Sequence, residues 1–182
     1  MKVLAIDPGP SCSALVLWNG TQIVDHKYEA NELMLLYLHS YFNTITPINS
    51  VAMVIEQVKS YGMAVGETIF DTVFWSGRFY EAWNGSKFLL PRLEVKMHLC
   101  HDSKAKDTNI RQALRDRFGE PFYKEIMMNS DGVVKYKAGI NKGKPKMVTL
   151  PNKTYDSIAG DEWAAFALAV TWYDTKRVGG NL

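Results

Sequence analysis

Three carboxylates stand where a chain places acids that do chemistry. Asp7 closes the apolar opening run KVLAID, Glu56 closes the continuous apolar run VAMVI, and Asp161 opens a strongly apolar segment near the C-terminus. A carboxylate at the end of a buried strand loses its hydration at high cost unless it is hydrogen-bonded or bound to a cation. Two neighbouring strand ends and a helix start can bring three such groups together, and their mutual repulsion then calls for a metal ion. Magnesium suits that set, because it is hard, takes oxygen ligands and keeps waters for chemistry. Two such ions flanking a phosphodiester stabilise the attacking and leaving oxygens of an in-line displacement. Each acid also has an ordinary structural role open to it. Asp7 before Pro8-Gly9 is a common turn aspartate, Glu56 can be a solvated strand-end residue, and Asp161 suits a helix cap or first turn. That all three fall at element ends of one core favours a shared site.

The elements that would position them follow from pattern. Residues 2–7 read as a strand stopped by Asp-Pro-Gly-Pro. Residues 12–18 and 21–27 flank Asn19-Gly20, a strong short hairpin signal. Asn31 can cap a helix over 32–42 whose apolar face carries Leu33, Leu36, Tyr37 and Tyr41. The run 51–55 suits a strand buried on both faces. A long helix follows over 68–83, then a short strand at 87–90 closed by Pro91, and helices near 92–100 and 106–118. The last helix starts from Gly160-Asp161-Glu162 and runs through 163–173. Three antiparallel strands extended by two parallel ones, with helices on both faces, make a mixed five-stranded α/β sheet. We read residues 1–182 as one domain with a basic insertion at about 120–155. That insertion holds Lys124, Lys135, Lys137, Lys142, Lys144, Lys146 and Lys153 against Glu120, Glu125 and Asp131, and its interspersed glycines suggest a hairpin.

Composition bounds the function. Hydrophobic residues make up 47% and charged residues 22%, ordinary for a folded chain, and the formal charge is only +2. Any case for nucleic-acid binding therefore rests on where the charges sit. Cys12 and Cys100 are far apart in sequence and read as reduced thiols. His26, His39, His98 and His101 show no metal-ligand spacing and read as structural or surface residues. No phosphate-binding loop of the Gly-x-x-x-x-Gly-Lys-Ser/Thr kind occurs, so no nucleotide cofactor is expected. Met1 runs almost directly into a strand and no apolar run is long enough to span a bilayer, so no membrane is expected and a cytoplasmic location is.

Four segments, in order, resemble the RuvC-type Holliday junction resolvases of the ribonuclease H-like superfamily. LAIDPGPSCSALVLW is similar to the family's strand, Asp-Pro-Gly turn and hairpin, with Ser13 where threonine is frequent. VAMVIEQVKSYG resembles the apolar strand ending in a catalytic glutamate. EVKMHLCHDSKAKDTNIRQAL resembles, without gaps, the Glu-Val-Lys helix, polar bend and following helix, and GDEWAAFALAVTW resembles the final helix. The similarity covers most of 1–118 and 160–175.

The resemblance implies a ribonuclease H-like fold and a crossover junction endodeoxyribonuclease that hydrolyses paired phosphodiesters of branched DNA, leaving 5′-phosphate and 3′-hydroxyl ends. It assigns Asp7, Glu56 and Asp161 as metal-binding catalytic carboxylates and Lys96 as a basic residue important for activity. Magnesium is the implied cofactor, with manganese able to substitute and one or two ions per subunit. A homodimer matches the two-fold symmetry of a four-way junction, and the aromatic-rich helix over 68–83 offers an interface as well as core residues. Lys59, Tyr61, Lys104, Lys106, Lys135, Lys137, Lys142 and Lys144 are the candidate DNA contacts. Tyr61 would stack on an unpaired base and the lysines would hold phosphates; a surface tyrosine and a solvated loop are the plain alternatives.

Two departures stand out. Ala164 replaces the family's fourth acid, one turn beyond Asp161, while Glu162 points about 100° away, which leaves Asp156 or a water to complete a second metal site. Asp107, preceded by Lys106, occupies the family's second basic position. These leave two other readings open: a junction-binding protein with weak or no cleavage, and a ribonuclease H-like nuclease acting on RNA-containing substrates. The compact length and the insertion suit a phage or prophage enzyme acting in a bacterial cell.

Overall fold

The computed structural model describes residues 1–42, 50–60, 62, 64–155 and 158–178. Five strands form one sheet in the order β3-β2-β1-β4-β5: β1 is Lys2–Asp7, β2 Cys12–Trp18, β3 Ile23–Ala30, β4 Val51–Gln57 and β5 Lys87–Pro91. β1 runs antiparallel to β2, and β2 antiparallel to β3. β4 is parallel to both β1 and β5. This is the mixed sheet the sequence predicts.

Helices cover both faces because the strands present an apolar residue to each. From β1, Val3 and Ala5 face one side, where they join Ala14, Val16, Ala52 and Val54 in a core closed by helix α3 (Arg92–Cys100), α4 (Asp107–Phe118) and α5 (Glu162–Val178). Leu4 and Ile6 face the other, with Leu15, Leu17, Met53 and Ile55, beneath α1 (Asn31–Tyr37) and α2 (Glu67–Ala82). Period-2 alternation explains the division. In α5, residues 165–170 are almost wholly buried. Its alanines let the helix lie close on β1 and β2 while Phe166 packs edge-on to Trp18.

Some local expectations are corrected. Asn19-Gly20 does not form a two-residue turn: Trp18 pairs with Ile23 across a four-residue loop. Only Gly20 has positive φ, and the Asn19 side chain accepts from Thr21 and Gln22 instead. In α1 the predicted apolar face is misplaced, since Leu33 and Leu36 are exposed while Met34 and Leu38 are buried. The Tyr41 side chain lies outside the described residues. Asn31 does not cap this helix; Ala30 occupies the cap position.

The basic segment at about 120–155 folds as a hairpin. β6 (Phe122–Ile126) pairs antiparallel with β9 (Met147–Pro151), and a short β7 (Met128–Asn129) and β8 (Gly132–Val133) continue outward. A further bridge joins Lys135 to Pro145. No described helix is long and apolar enough to cross a membrane.

Candidate active site

Parallel pairing of β1 with β4 sets the site. Ile6 is the register partner of Ile55, so Asp7 and Glu56 leave the sheet side by side at its C-terminal edge. In open α/β sheets, ligands bind at that edge.

The turn after Asp7 is held firmly. A Cβ on Gly9 would collide with the Cys12 carbonyl oxygen, so no larger residue fits there without a shift. The buried Ser13 hydroxyl accepts from the Gly9 N–H at 3.2 Å and donates to Asn31 Oδ1 at 2.6 Å. Asn31 Nδ2 then donates to the Gly9 carbonyl at 3.0 Å, and the Asn31 N–H to the Ser11 carbonyl. Asn31, read from sequence as a helix cap, instead ties the start of α1 to the Asp7 turn.

Asp161 immediately precedes α5, and its carbonyl accepts from Ala164 and Ala165, opening the helix. Asp161 lines a pocket of about 80 Å³ with Asp7, Arg92, Asp107, Arg111 and Ala164. Glu162 turns away, as the helical spacing predicts. It is buried, 2.6 Å from His26 Nδ1, and its other oxygen accepts from the Ala159 N–H. Asp156 lies outside the described residues.

Asp7 is the most perturbed acid of the group. Burial pushes its pKa up to about 8, reinforced by Glu56, Asp161 and Asp107 and opposed by Arg92. Among the described residues, no side-chain hydrogen bond or ion pair satisfies its carboxylate. A half-buried carboxylate that feels the charge of three other acids and has no donor is the kind of group that favours a hard cation. Carboxylate oxygens such as those of Asp7, Glu56 and Asp161 are the donor type a hard cation takes. As they stand, no three His, Cys, Asp or Glu side chains among the described residues are grouped closely enough to hold an ion.

Arg92 stands between two of these acids. As the first residue of α3, directly after Pro91 at the end of β5, it reaches across the sheet edge. One terminal nitrogen donates to Glu56 at 2.7 Å and the other to Asp107. Burial opposes its charge, but the two carboxylates hold the guanidinium pKa above its ordinary value. Asp107 stands at the family's second basic position in the sequence reading, but its pairing with Arg92 was not legible there, because it depends on α3 and α4 packing their N-termini toward one edge.

A second depression of about 550 Å³ adjoins the pocket across Arg92 and is lined by Glu56, Lys59, Arg92, Lys96 and Ser103 among others. Lys96 and Lys59 thus flank Glu56 rather than the Asp7 pocket. Lys104 and Lys106 are exposed on the bend before α4. Lys135, Lys137, Lys142 and Lys144 lie on the hairpin, lining neither cavity. Tyr61 lies outside the described residues. His98, expected to be structural, bonds Asp174 at 2.8 Å, and Arg117 pairs with the same carboxylate, tying α3 and α4 to α5.

Comparison with solved structures decides the architecture. A Thermus thermophilus RuvC in complex with Holliday junction substrate superimposes with a TM-score of 0.63 at 15% identity, over 98% of this chain and 96% of that one. A second T. thermophilus RuvC structure matches with a TM-score of 0.55 at 14% identity, over 98% and 97%. The fold is that of RuvC. No protein-family model and no curated protein matches the sequence. At this identity the RuvC likeness shows the shared fold, and the chemistry rests on the residues just described.

Proposed function

We propose that this chain is a magnesium-dependent, structure-specific endodeoxyribonuclease that resolves four-way or other branched DNA by paired phosphodiester hydrolysis. The observation that carries this reading is Asp7, a half-buried and unpaired carboxylate set beside Glu56, Asp161 and Asp107 at the edge of parallel strands. Asp7, Glu56 and Asp161 would hold the ion, with manganese able to replace it. Once bound, the ion supplies Lewis acidity toward the scissile phosphate and a water to attack it.

The chain's own residues do the rest. Lys96 and Lys59, in the groove beside Glu56, hold backbone phosphates against the carboxylate edge. The solvent-exposed Lys135, Lys137, Lys142 and Lys144 extend the grip along the hairpin, whose Ile140 is 98% exposed. Phosphate contacts of this kind give affinity without sequence choice. The T. thermophilus RuvC bound to a Holliday junction supports branched DNA as the substrate class.

A homodimer follows from the same reading. Thr72, Trp75, Phe79 and Ala82 turn the buried face of α2 to the sheet, while Phe70, Val73 and Phe74 stay exposed on its outer side, with Phe74 at 61%. An exposed apolar face on one long helix suits a two-fold interface, and two symmetric active sites suit two symmetric cuts.

One observation favours a second reading. Arg92 already compensates Glu56, and Ala164 lines the pocket where another carboxylate would fit, so a junction-binding protein with weak cleavage is the alternative. Incubating the protein with labelled four-way junction and linear duplex, with magnesium or chelator, separates the two. Paired magnesium-dependent nicks in the junction support the nuclease; tight binding without nicks supports the alternative.

A further inference from the structure

Arg92 stands on the wall shared by the carboxylate pocket and the adjoining groove. Its two hydrogen-bonded acids differ in kind. The Glu56 side chain is 15% exposed and depends on a counter-charge, whereas that of Asp107 is 67% exposed and solvated. A planar guanidinium can engage two carboxylates at once through separate nitrogens, which a lysine ammonium, a single point charge, does poorly. The other guanidinium of the pocket, Arg111, donates to the Gly160 carbonyl at 2.8 Å and, among the described residues, pairs with no carboxylate. Among the described residues, Arg92 therefore bridges Glu56 and an acid outside the Asp7, Glu56 and Asp161 set.

We propose that Arg92 is a displaceable internal cation: it holds Glu56 while no divalent ion is bound, and Asp107 is the anchor that keeps its guanidinium when an ion takes Glu56. The inference rests on the metal-nuclease reading above. It gives the acids at this sheet edge an internal counter-charge, shared between Glu56 and Asp107. It also makes Asp107 a positioning residue that acts through Arg92. An arriving ion must outcompete a bound guanidinium, which disfavours weakly coordinating cations.

The test is manganese binding to the DNA-free full chain, followed by electron paramagnetic resonance of the free ion, together with thermal melting. Arg92→Gln should tighten manganese binding by about tenfold or more, since a facing positive charge and a competitor are both lost. Arg111→Gln, the charge control, should tighten it by less than about threefold, because that residue competes for no carboxylate. Asp107→Asn should weaken binding clearly more in the parent chain than in the Arg92→Gln background, where only its charge is lost and the change should stay under about threefold, the pattern of one residue acting through another. Equal gains in the two arginine variants would overturn the displaceable-cation role. Equal losses from Asp107→Asn in both backgrounds would overturn the anchor role, because Asp107 would then touch the ion itself.

Melting guards against misfolding. Arg92→Gln should melt below the parent in chelator and recover with manganese. If it does not fold, Arg92→Lys carries the test: binding tighter than the parent supports the proposal and binding no tighter overturns it. The metal reading fails separately, through absence of bound manganese in the parent and every variant, which overturns both. Manganese bound by the parent with no difference between the arginine variants overturns this inference alone.

Discussion

Glu56 follows directly on Ile55, the parallel-ladder partner of Ile6, so the carboxylates of Asp7 and Glu56 emerge from adjacent strands at one level of the sheet. Neither can be moved without shifting a strand whose residues are buried on both faces. The acids are thus placed by the core, and the cost of their proximity falls on Asp7.

Asp7→Asn should abolish cleavage while leaving junction binding near the parent level. The same change should stabilise the DNA-free protein in chelator. The sign follows from the raised pKa: the folded state binds the Asp7 proton more tightly than the unfolded chain does. Stability from this group is therefore lost as pH rises from about 4, the ordinary carboxylate value, to about 8. Above that range the asparagine variant should be the more stable, on the order of 2 kcal/mol after discounting a partly solvated group. Denaturant unfolding at pH 5 and pH 8.5 checks it. A parent that gains stability relative to the variant as pH rises would contradict the assignment.

Asn31→Ala should cost about 1–3 kcal/mol, since it strands the buried Ser13 hydroxyl and frees the Gly9 carbonyl. Cleavage should fall further than binding, because the turn that carries Asp7 loosens. Chemical denaturation alongside single-turnover cleavage measures both. A variant with parental cleavage would show that the turn needs no such clamp.

Much of this was legible in the sequence. The end-of-strand positions of Asp7 and Glu56 and the buried α5 follow from apolar runs, whose periodicity reports burial directly. The Asp161 helix start is written in the same way. What periodicity cannot report is contact between distant segments. Asn31 carries a helix-cap signature, yet a hydroxyl eighteen residues earlier claims its side chain. Leu33 and Leu36 look like core on a helical wheel, but α1 is short, its next turn widens at Leu38–Phe42, and Met34 with Leu38 takes the buried side. Arg92 and Asp107 join the site only because two helix N-termini converge on it.

Replacing Lys135, Lys137, Lys142 and Lys144 together with glutamine should weaken binding to junction and linear DNA alike. Each phosphate contact removed should lower the slope of log affinity against log salt by about 0.9. Binding measured across a salt series gives that slope. An unchanged slope would leave the hairpin solvated and without a role in DNA binding.

Phe74→Glu, on the exposed side of α2, should convert the protein to monomers in sedimentation analysis without unfolding it. Nicking of a junction should then become unpaired. A variant that sediments with the parent would place the interface elsewhere.

The most direct test of the central claim uses a supercoiled plasmid extruding a four-way junction, cut by the full chain with magnesium. Two nicks within one binding event give linear product without a nicked-circle intermediate, and that product should vanish with chelator or with Asp7→Asn. Junction bound tightly but left intact at saturating magnesium would contradict the account, and so would equal cutting by the Asp7→Asn chain.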